Sequence, residues 1–354
     1  MPKKLFLGNI DYRQHMTDEG DQLQRGFDLA GWQVVYGDGQ TSVLRILERT
    51  HPTHVVVHDR RDWDPMSKIS FRKDLDFPDL WALREHAATK VVVIKDAASF
   101  LPVHEAFYDE AGADAALLYY HPLSAGRHAP WMRGRPYVRT YHTIDADLIR
   151  TFPLSMPRSR GVVSGATSRL VYPTRWTALQ KHQQIGIDRI RHPRYHNRGH
   201  ATPNYLRQLI GYRTHVATAS RYGFALRKII ESVACCVTPV TDLPHYDVLP
   251  EIDGALFRIS PTMDPLEIRR AVEEADAQWN LEDRLRWARR CWAYYDFRAM
   301  AQRTSEAIEF RRFGVIPDGG THGSDDDRTG SHDAPQQAGQ APDAVPTDRA
   351  PTLR

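Results

Sequence analysis

Cysteine is scarce in this chain, with three residues in 354, two of them the neighbours Cys235 and Cys236 and the third Cys291. So few thiols cannot build a disulfide framework, and an adjacent pair inside an amphipathic stretch reads as small buried apolar residues in a reducing compartment. Long hydrophobic runs are also missing. No segment approaches the roughly 20 apolar residues of a membrane span. The apolar run after Lys3-Lys4 ends at Gly8, far short of a secretory h-region. A soluble cytoplasmic protein with no membrane span is the expectation. Charge of one sign is not in strong excess either: 47 Lys and Arg stand against 44 Asp and Glu, for +3 overall. That near-balance hides an asymmetry. From Val315 onward seven Asp face three Arg, a net of −4, which leaves the rest of the chain at +7. The excess suits an anionic ligand such as a nucleoside diphosphate. It is too diffuse for the basic stripe of a nucleic-acid binder.

A hydrophobic share of 41% over this length supports two cores rather than one or none. The first half alternates short β-branched runs with amphipathic stretches. Strands are predicted over Lys4–Ile10, Trp32–Tyr36, His54–His58, Lys90–Ile94 and Ala113–Tyr120, and helices over Asp21–Ala30, Thr41–Arg49, Asp79–Ala88 and Pro102–Ala111. Strands that are apolar throughout must be buried on both faces, which implies a parallel sheet covered by helices on each side. Pro122–Arg139, rich in Pro, Gly, Arg and His, reads as loop with an extended piece from Pro136 to His142. Arg150–Arg160, with prolines at 153 and 157, reads as an interdomain linker.

The pattern then restarts. Strands are predicted at Arg160–Gly165, Asp188–His192, Thr214–Ala219, Val237–Val240 and Ala255–Ile259. Helices are predicted at Arg175–Gln184, Asn204–Gly211, Phe224–Cys235, Pro265–Ala277, Leu281–Tyr295 and Arg298–Arg312. The expected class is α/β with two Rossmann-like domains, 1–152 and 158–297, facing across a cleft. A last helix within 298–314 is expected to pack back on the first domain. The tail 317–354 has almost no aliphatic residues and is expected to be disordered.

Ligands of open α/β sheets bind outside the carboxyl ends of the strands, so residues just past a strand are the candidates. In Val162-Val-Ser-Gly-Ala-Thr-Ser168 a glycine follows a strand directly, where Gly165 and Ala166 could bring backbone N–H groups to a phosphate. The stretch Ser220–Val240 ends a strand, turns, and opens a helix with Lys228 and Glu231 three residues apart on one face. Lys228 could neutralise a diphosphate and Glu231 could accept from ribose hydroxyls, unless the two merely form a surface ion pair.

Residues 160–241 resemble the carboxyl-terminal domain of GT-B-fold glycosyltransferases, of the group-1 kind related to spore-maturation glycosyltransferases. The resemblance rests on Ser164-Gly-Ala, Tyr172-Pro-Thr-Arg175, His192-Pro-Arg-Tyr195, Tyr205, Lys228-x-x-Glu231-x-x-Ala234 and Thr238-Pro-Val-Thr241, with Tyr141-His-Thr-Ile-Asp145 resembling the hinge before that domain. It implies a nucleotide-sugar donor site built from Gly165, Ala166, Arg175, Arg221, Lys228 and Glu231, and a hexosyltransferase-like reaction needing no metal. It implies acceptor contacts from the first half. The chain departs from the pattern where Cys236 replaces a glycine after the helix and where Gly223 stands in place of an acidic residue.

An inverting transfer needs a base beside the acceptor hydroxyl. Asp96, past the fourth strand, is the first choice, with Asp59, Asp11 and His15 behind it. Asp59-x-x-Asp62-x-Asp64 contains a D-x-D triplet of the sort that can hold a divalent cation, and Asp74-x-Asp76 is another. His192, His196 and His200 recur at intervals of four, but Pro193 and Gly199 oppose a helix there. No metal is expected, and Lys228 with an arginine, Arg175 or Arg221, would stabilise the leaving diphosphate. The acceptor stays open between DNA, protein, glycan and small molecule. A non-catalytic binding module and a sugar transferase acting on modified DNA bases are the alternatives.

Overall fold

The computed structural model describes residues 3–9, 19–58, 77–94, 101–154, 159–165, 168–191 and 201–318. The β-branched runs become strands because their side chains fill both faces of a sheet. In the first half these are β1 (Lys4–Asn9), β2 (Gln33–Gly37), β3 (His54–Val57), β4 (Thr89–Ile94), β5 (Ala115–Leu118) and β6 (Pro136–Arg139). Helices α1 (Glu19–Leu29), α2 (Val43–Thr50), α3 (Leu101–Glu110), α4 (Pro122–His128) and α5 (Ala146–Arg150) lie between or after them. The second half supplies β7 (Ser159–Ser164), α6 (Pro173–Gln180), α7 (His182–Ile185), β8 (Asp188–Ile190), α8 (Ala201–Leu209), β9 (Tyr212–Val216), α9 (Arg227–Ala234), β10 (Thr238–Thr241) and β11 (Phe257–Arg258). Helices α10 (Pro265–Ala277), α11 (Leu281–Tyr295) and α12 (Phe297–Glu309) and the short β12 (Gly314–Val315) follow.

The strands form two sheets, one of seven in the order β12-β6-β5-β4-β3-β1-β2 and one of five in the order β11-β10-β9-β7-β8. All pairs are parallel except β12 against β6, where Gly314 pairs with Tyr137. The fold is therefore α/β, with a mixed and a parallel Rossmann-like sheet. Each half repeats one arrangement. Its first strand is flanked by the second on one side and the third on the other, the kind of reversal at which open α/β sheets bind ligands. Met1–Gly319 forms one compact unit.

Burial shows how each sheet is covered. Val55, Val56 and Val57 of β3 and Val91, Val92, Val93 and Ile94 of β4 are fully enclosed, as continuous apolar strands require. In the second sheet Val162 packs into one apolar cluster with α8, α9 and α11 residues. Its neighbour Val163 joins a different cluster with α6, α7 and α10 residues. The period of two along β7 thus divides two layers of helix. From α12, Glu309 pairs with Lys4 at 2.9 Å, and Ser305 accepts the indole N–H of buried Trp32 at 2.7 Å. That helix is tied to the seven-stranded sheet.

Several expectations need correcting. Asp79–Ala88 holds only a short turn of 3-10 helix at Leu80–Leu83. Its first acid serves another element: the Asp79 carboxylate accepts from Val43 N at 2.7 Å, Leu44 N at 3.1 Å and Ser42 Oγ at 2.6 Å. These are donors at the start of α2 that no intrahelical carbonyl can satisfy. Asp79→Ala should cost about 1–2 kcal/mol in urea unfolding, and an unchanged midpoint would mean the turn is idle. The expected loop at Pro122–Arg139 contains α4, because His121 accepts from Leu123 N and Pro122 opens the helix, while the extended piece expected from Pro136 is β6. The stretch expected as a linker at Arg150–Arg160 follows α5, which runs to Arg150 from an Asp145 cap. The helix expected over Arg175–Gln184 is two pieces, with Lys181 between α6 and α7. Among the described residues no helix is long and apolar enough to cross a membrane. Beyond Asp318 the tail lies outside the described residues.

Candidate functional site

The reversal in the five-stranded sheet falls between β7 and β9. Gly165 follows β7 at φ +111°, a conformation that side chains rarely adopt. A Cβ there would meet Arg175 Nη1 at 3.0 Å and Lys228 Cε at 3.0 Å. Two cationic side chains thus approach bare backbone at one strand end. Each arrives by a local cause. Pro173 opens α6, so Arg175 lies in its first turn, where Nη2 donates to the Thr218 carbonyl beyond β9 at 2.9 Å and the guanidinium covers the Tyr172 ring at 4.3 Å. Lys228 lies in the first turn of α9, and its Nζ stands 4.1 Å from the centroid of the Tyr205 ring on α8. A cation over an aromatic face gains from the ring quadrupole while keeping its charge available.

Arg175 is buried and Lys228 half-buried. Burial, opposed by Glu231 and aided by the charges of Arg175 and Arg227, lowers the Lys228 ammonium from its ordinary 10.5 to about 8. An ammonium held in this state gains much from an incoming anion.

Glu231 is buried, and its carboxylate pairs with Arg227 at 3.1 Å. The partner expected from i, i+3 spacing was Lys228, but the contact follows i, i+4 to Arg227. Arg227 is itself buried and reaches Gln22 of α1 at 3.5 Å. Sequence reading missed Arg227, although its spacing from Glu231 was visible. Arg221 stands apart from the cluster in its contacts: it is exposed and lies 4.8 Å over the Tyr222 ring. Ala166 and Asp96 lie outside the described residues. So do Asp11, His15, Asp59, both acidic triplets, and His192, His196 and His200. Two further polar groups at the strand ends escaped sequence reading. Asp242, after β10, accepts from Ala219 N at 2.7 Å, and burial pushes its carboxyl up despite that bond and the charge of Arg175. His215, inside β9, lies 2.9 Å from Ser164 Oγ.

The loop after β9 turns onto the first half. Gly223 has φ +68°, and a Cβ there would meet Pro244 Cγ at 3.0 Å and Tyr246 OH at 3.1 Å. A side chain at that position would be strained by the positive φ and would crowd Pro244 and Tyr246. Beside it Phe224 stacks on Tyr120 with centroids 4.0 Å apart, Ser124 Oγ bonds Tyr246 OH at 2.9 Å, and Arg139 pairs with fully buried Asp247. The other departure, Cys236, takes φ +62°, so the thiol occupies the left-handed position that glycine favours after a helix. Among the described residues no three His, Cys, Asp or Glu side chains gather as a metal-ligand set.

No family model matches the chain, and no curated protein matches it.

Proposed function

We propose that the chain is a glycosyltransferase of GT-B architecture. In this reading the five-stranded half holds the diphosphate of a nucleotide-sugar donor and the seven-stranded half presents the acceptor. One observation carries the reading: the positive-φ backbone of Gly165 lies against both Arg175 and Lys228 at a strand end of a parallel sheet. Backbone N–H groups past a strand and fixed cations suit a diphosphate. As the donor bond breaks, negative charge grows on the leaving phosphate, and preorganised cations lower that barrier. Arg175 would anchor the diphosphate through a guanidinium already held by Thr218, and Lys228 would supply the adjustable charge. The transfer needs no metal in this scheme. Glu231 would reach a ribose only by sharing its carboxylate with Arg227. Asp96 remains the proposed acceptor base, and the tail from Pro317 has no assigned part.

Thermal-shift and calorimetric titration with uridine, guanosine and thymidine diphosphates and their sugars tests the proposal. Stabilisation by one diphosphate together with slow hydrolysis of its sugar is the expected result. No response to any of them sinks it.

Lys228 also sets a pH dependence. In the free protein it loses its proton near pH 8, whereas a bound diphosphate restores it, so binding takes up a proton between about pH 8 and 10.5. Affinity should be level below pH 8 and fall by up to tenfold per pH unit above it. The folding linkage has the opposite sign. Across the same window the unfolded chain holds more protons at this residue than the folded one. Its contribution to stability therefore rises with pH. Calorimetry in buffers of different ionisation enthalpy reads the proton uptake directly, and affinity flat from pH 7 to 10 would remove Lys228 from the site.

A further inference from the structure

His215 is fully buried in β9 and pairs in register with Val162. Side chains two residues apart on a strand share a face, so its ring lies on the side of Ser164, one diagonal step along. Helix α9 covers that face. Ser232 on α9 has a single hydroxyl proton, which it donates to the Lys228 carbonyl at 2.6 Å. Its oxygen must then accept from His215 Nδ1, 2.7 Å away, so the imidazole hydrogen is on Nδ1. Nε2 keeps its lone pair and accepts from the Ser164 hydroxyl at 2.9 Å. Ser164 Oγ lies 3.4 Å from the Tyr205 hydroxyl, and the Tyr205 ring carries the Lys228 ammonium. The path leaves the backbone of Lys228 and returns to its side chain. Burial, with the charges of Lys228 and Arg175 beside it, holds His215 well below the ordinary range of an imidazole. The imidazole is therefore neutral at neutral pH, as the circuit requires.

We propose that His215 is a positioning residue of the donor site, fixing Lys228 from both ends so that its ammonium stays over Tyr205 and against Gly165. Through Ser232 it anchors the first turn of α9. Through Ser164 it holds the end of β7, where the Gly165 turn begins, and orients Tyr205. The inference rests on the reading of Lys228 as a diphosphate ligand. It adds what keeps that ligand in place. Glu231 and Arg227 on α9 and Arg175 on α6 are the other charges acting on the circuit, and none of them bonds the imidazole.

The test uses the full chain and its Ser232→Ala, His215→Asn and His215→Leu variants, with inorganic pyrophosphate as the probe. Calorimetry at pH 7 gives affinity, and NMR titration of ¹³C-labelled lysine gives the Lys228 ionisation, its resonance identified by loss in Lys228→Met. Ser232→Ala and His215→Leu should bind about tenfold more weakly, the loss expected of one hydrogen bond of about 1.4 kcal/mol. In both, the Lys228 titration should move up from about 8 towards 10.5 as the ammonium reaches water. His215→Asn, which places an amide N–H near the Nδ1 position, should restore part of both. Should His215→Leu fail to fold, Ser232→Ala decides by itself. A folded Ser232→Ala with unchanged affinity and unchanged Lys228 titration overturns the proposal. If the unmodified chain ignores pyrophosphate, the donor-site reading fails, and the Lys228 titration in Ser232→Ala still decides the positioning role.

Discussion

Gly165→Val should weaken diphosphate binding by roughly a hundredfold, while the protein stays folded. Two effects add. The backbone there holds φ +111°, so a β-branched residue either strains it by about 1–3 kcal/mol or pulls it into another region. The new side chain would also occupy the space between Arg175 Nη1 and Lys228 Cε, each 3.0 Å from the first added carbon. The arginine cannot swing away freely, because Nη2 is held by the Thr218 carbonyl at 2.9 Å. Titration with nucleoside diphosphates alongside a thermal melt separates the two effects. Folded protein with wild-type affinity would mean that no phosphate approaches this turn.

Lys228→Met tests the other side of the cradle. The side chain keeps its length and apolar stem but loses its charge, so turnover should drop by roughly 10²–10³-fold, as it does when one preorganised charge-stabilising donor is removed. Stability should hold or rise. The ammonium is held in a partly desolvated place against the pull of burial, and Glu231 retains Arg227 at 3.1 Å as its counter-charge. Lys228→Arg should not rescue, because a planar fork cannot repeat a compact ammonium over the Tyr205 ring. Normal donor hydrolysis by Lys228→Met would assign leaving-group stabilisation elsewhere.

The two substitutions differ in what they should do to pH dependence. Gly165→Val leaves Lys228 in its pocket, so residual binding should still weaken above about pH 8. Lys228→Met removes the titrating group, so whatever binding Arg175 alone supports should be level across that range. A pH series on both variants therefore shows whether one residue or the whole cradle is responsible.

Much of this molecule could be read from its sequence. Runs such as Val91-Val-Val-Ile94 and Leu5-Phe-Leu7 are legible because burial on both faces of a parallel strand demands apolar residues in succession. The turn glycine after β7 and the basic residue at the start of α9 are legible because each is fixed by its position next to a strand end or a helix start. What failed to show was mostly short or capped from afar. Helix α4 hides in a Pro- and Gly-rich stretch, and the stretch at Asp79 looks helical although its acid caps α2 instead.

Local periodicity and composition by themselves determined the α/β class, the doubling of the pattern and the two ends of the candidate cradle, because each depends on residues within one turn or one strand of each other. Tertiary structure alone decided the partners. Glu231 could have chosen Lys228 or Arg227 from one helix face, and the packed geometry selects Arg227. His215 looks like any strand histidine until the register of β7 against β9 sets it diagonally from Ser164 and α9 brings Ser232 over the same face. The bonds of His215 join it to residues 51 and 17 positions away, and chain spacing carries no information about contacts made only when strands align and a helix closes over them.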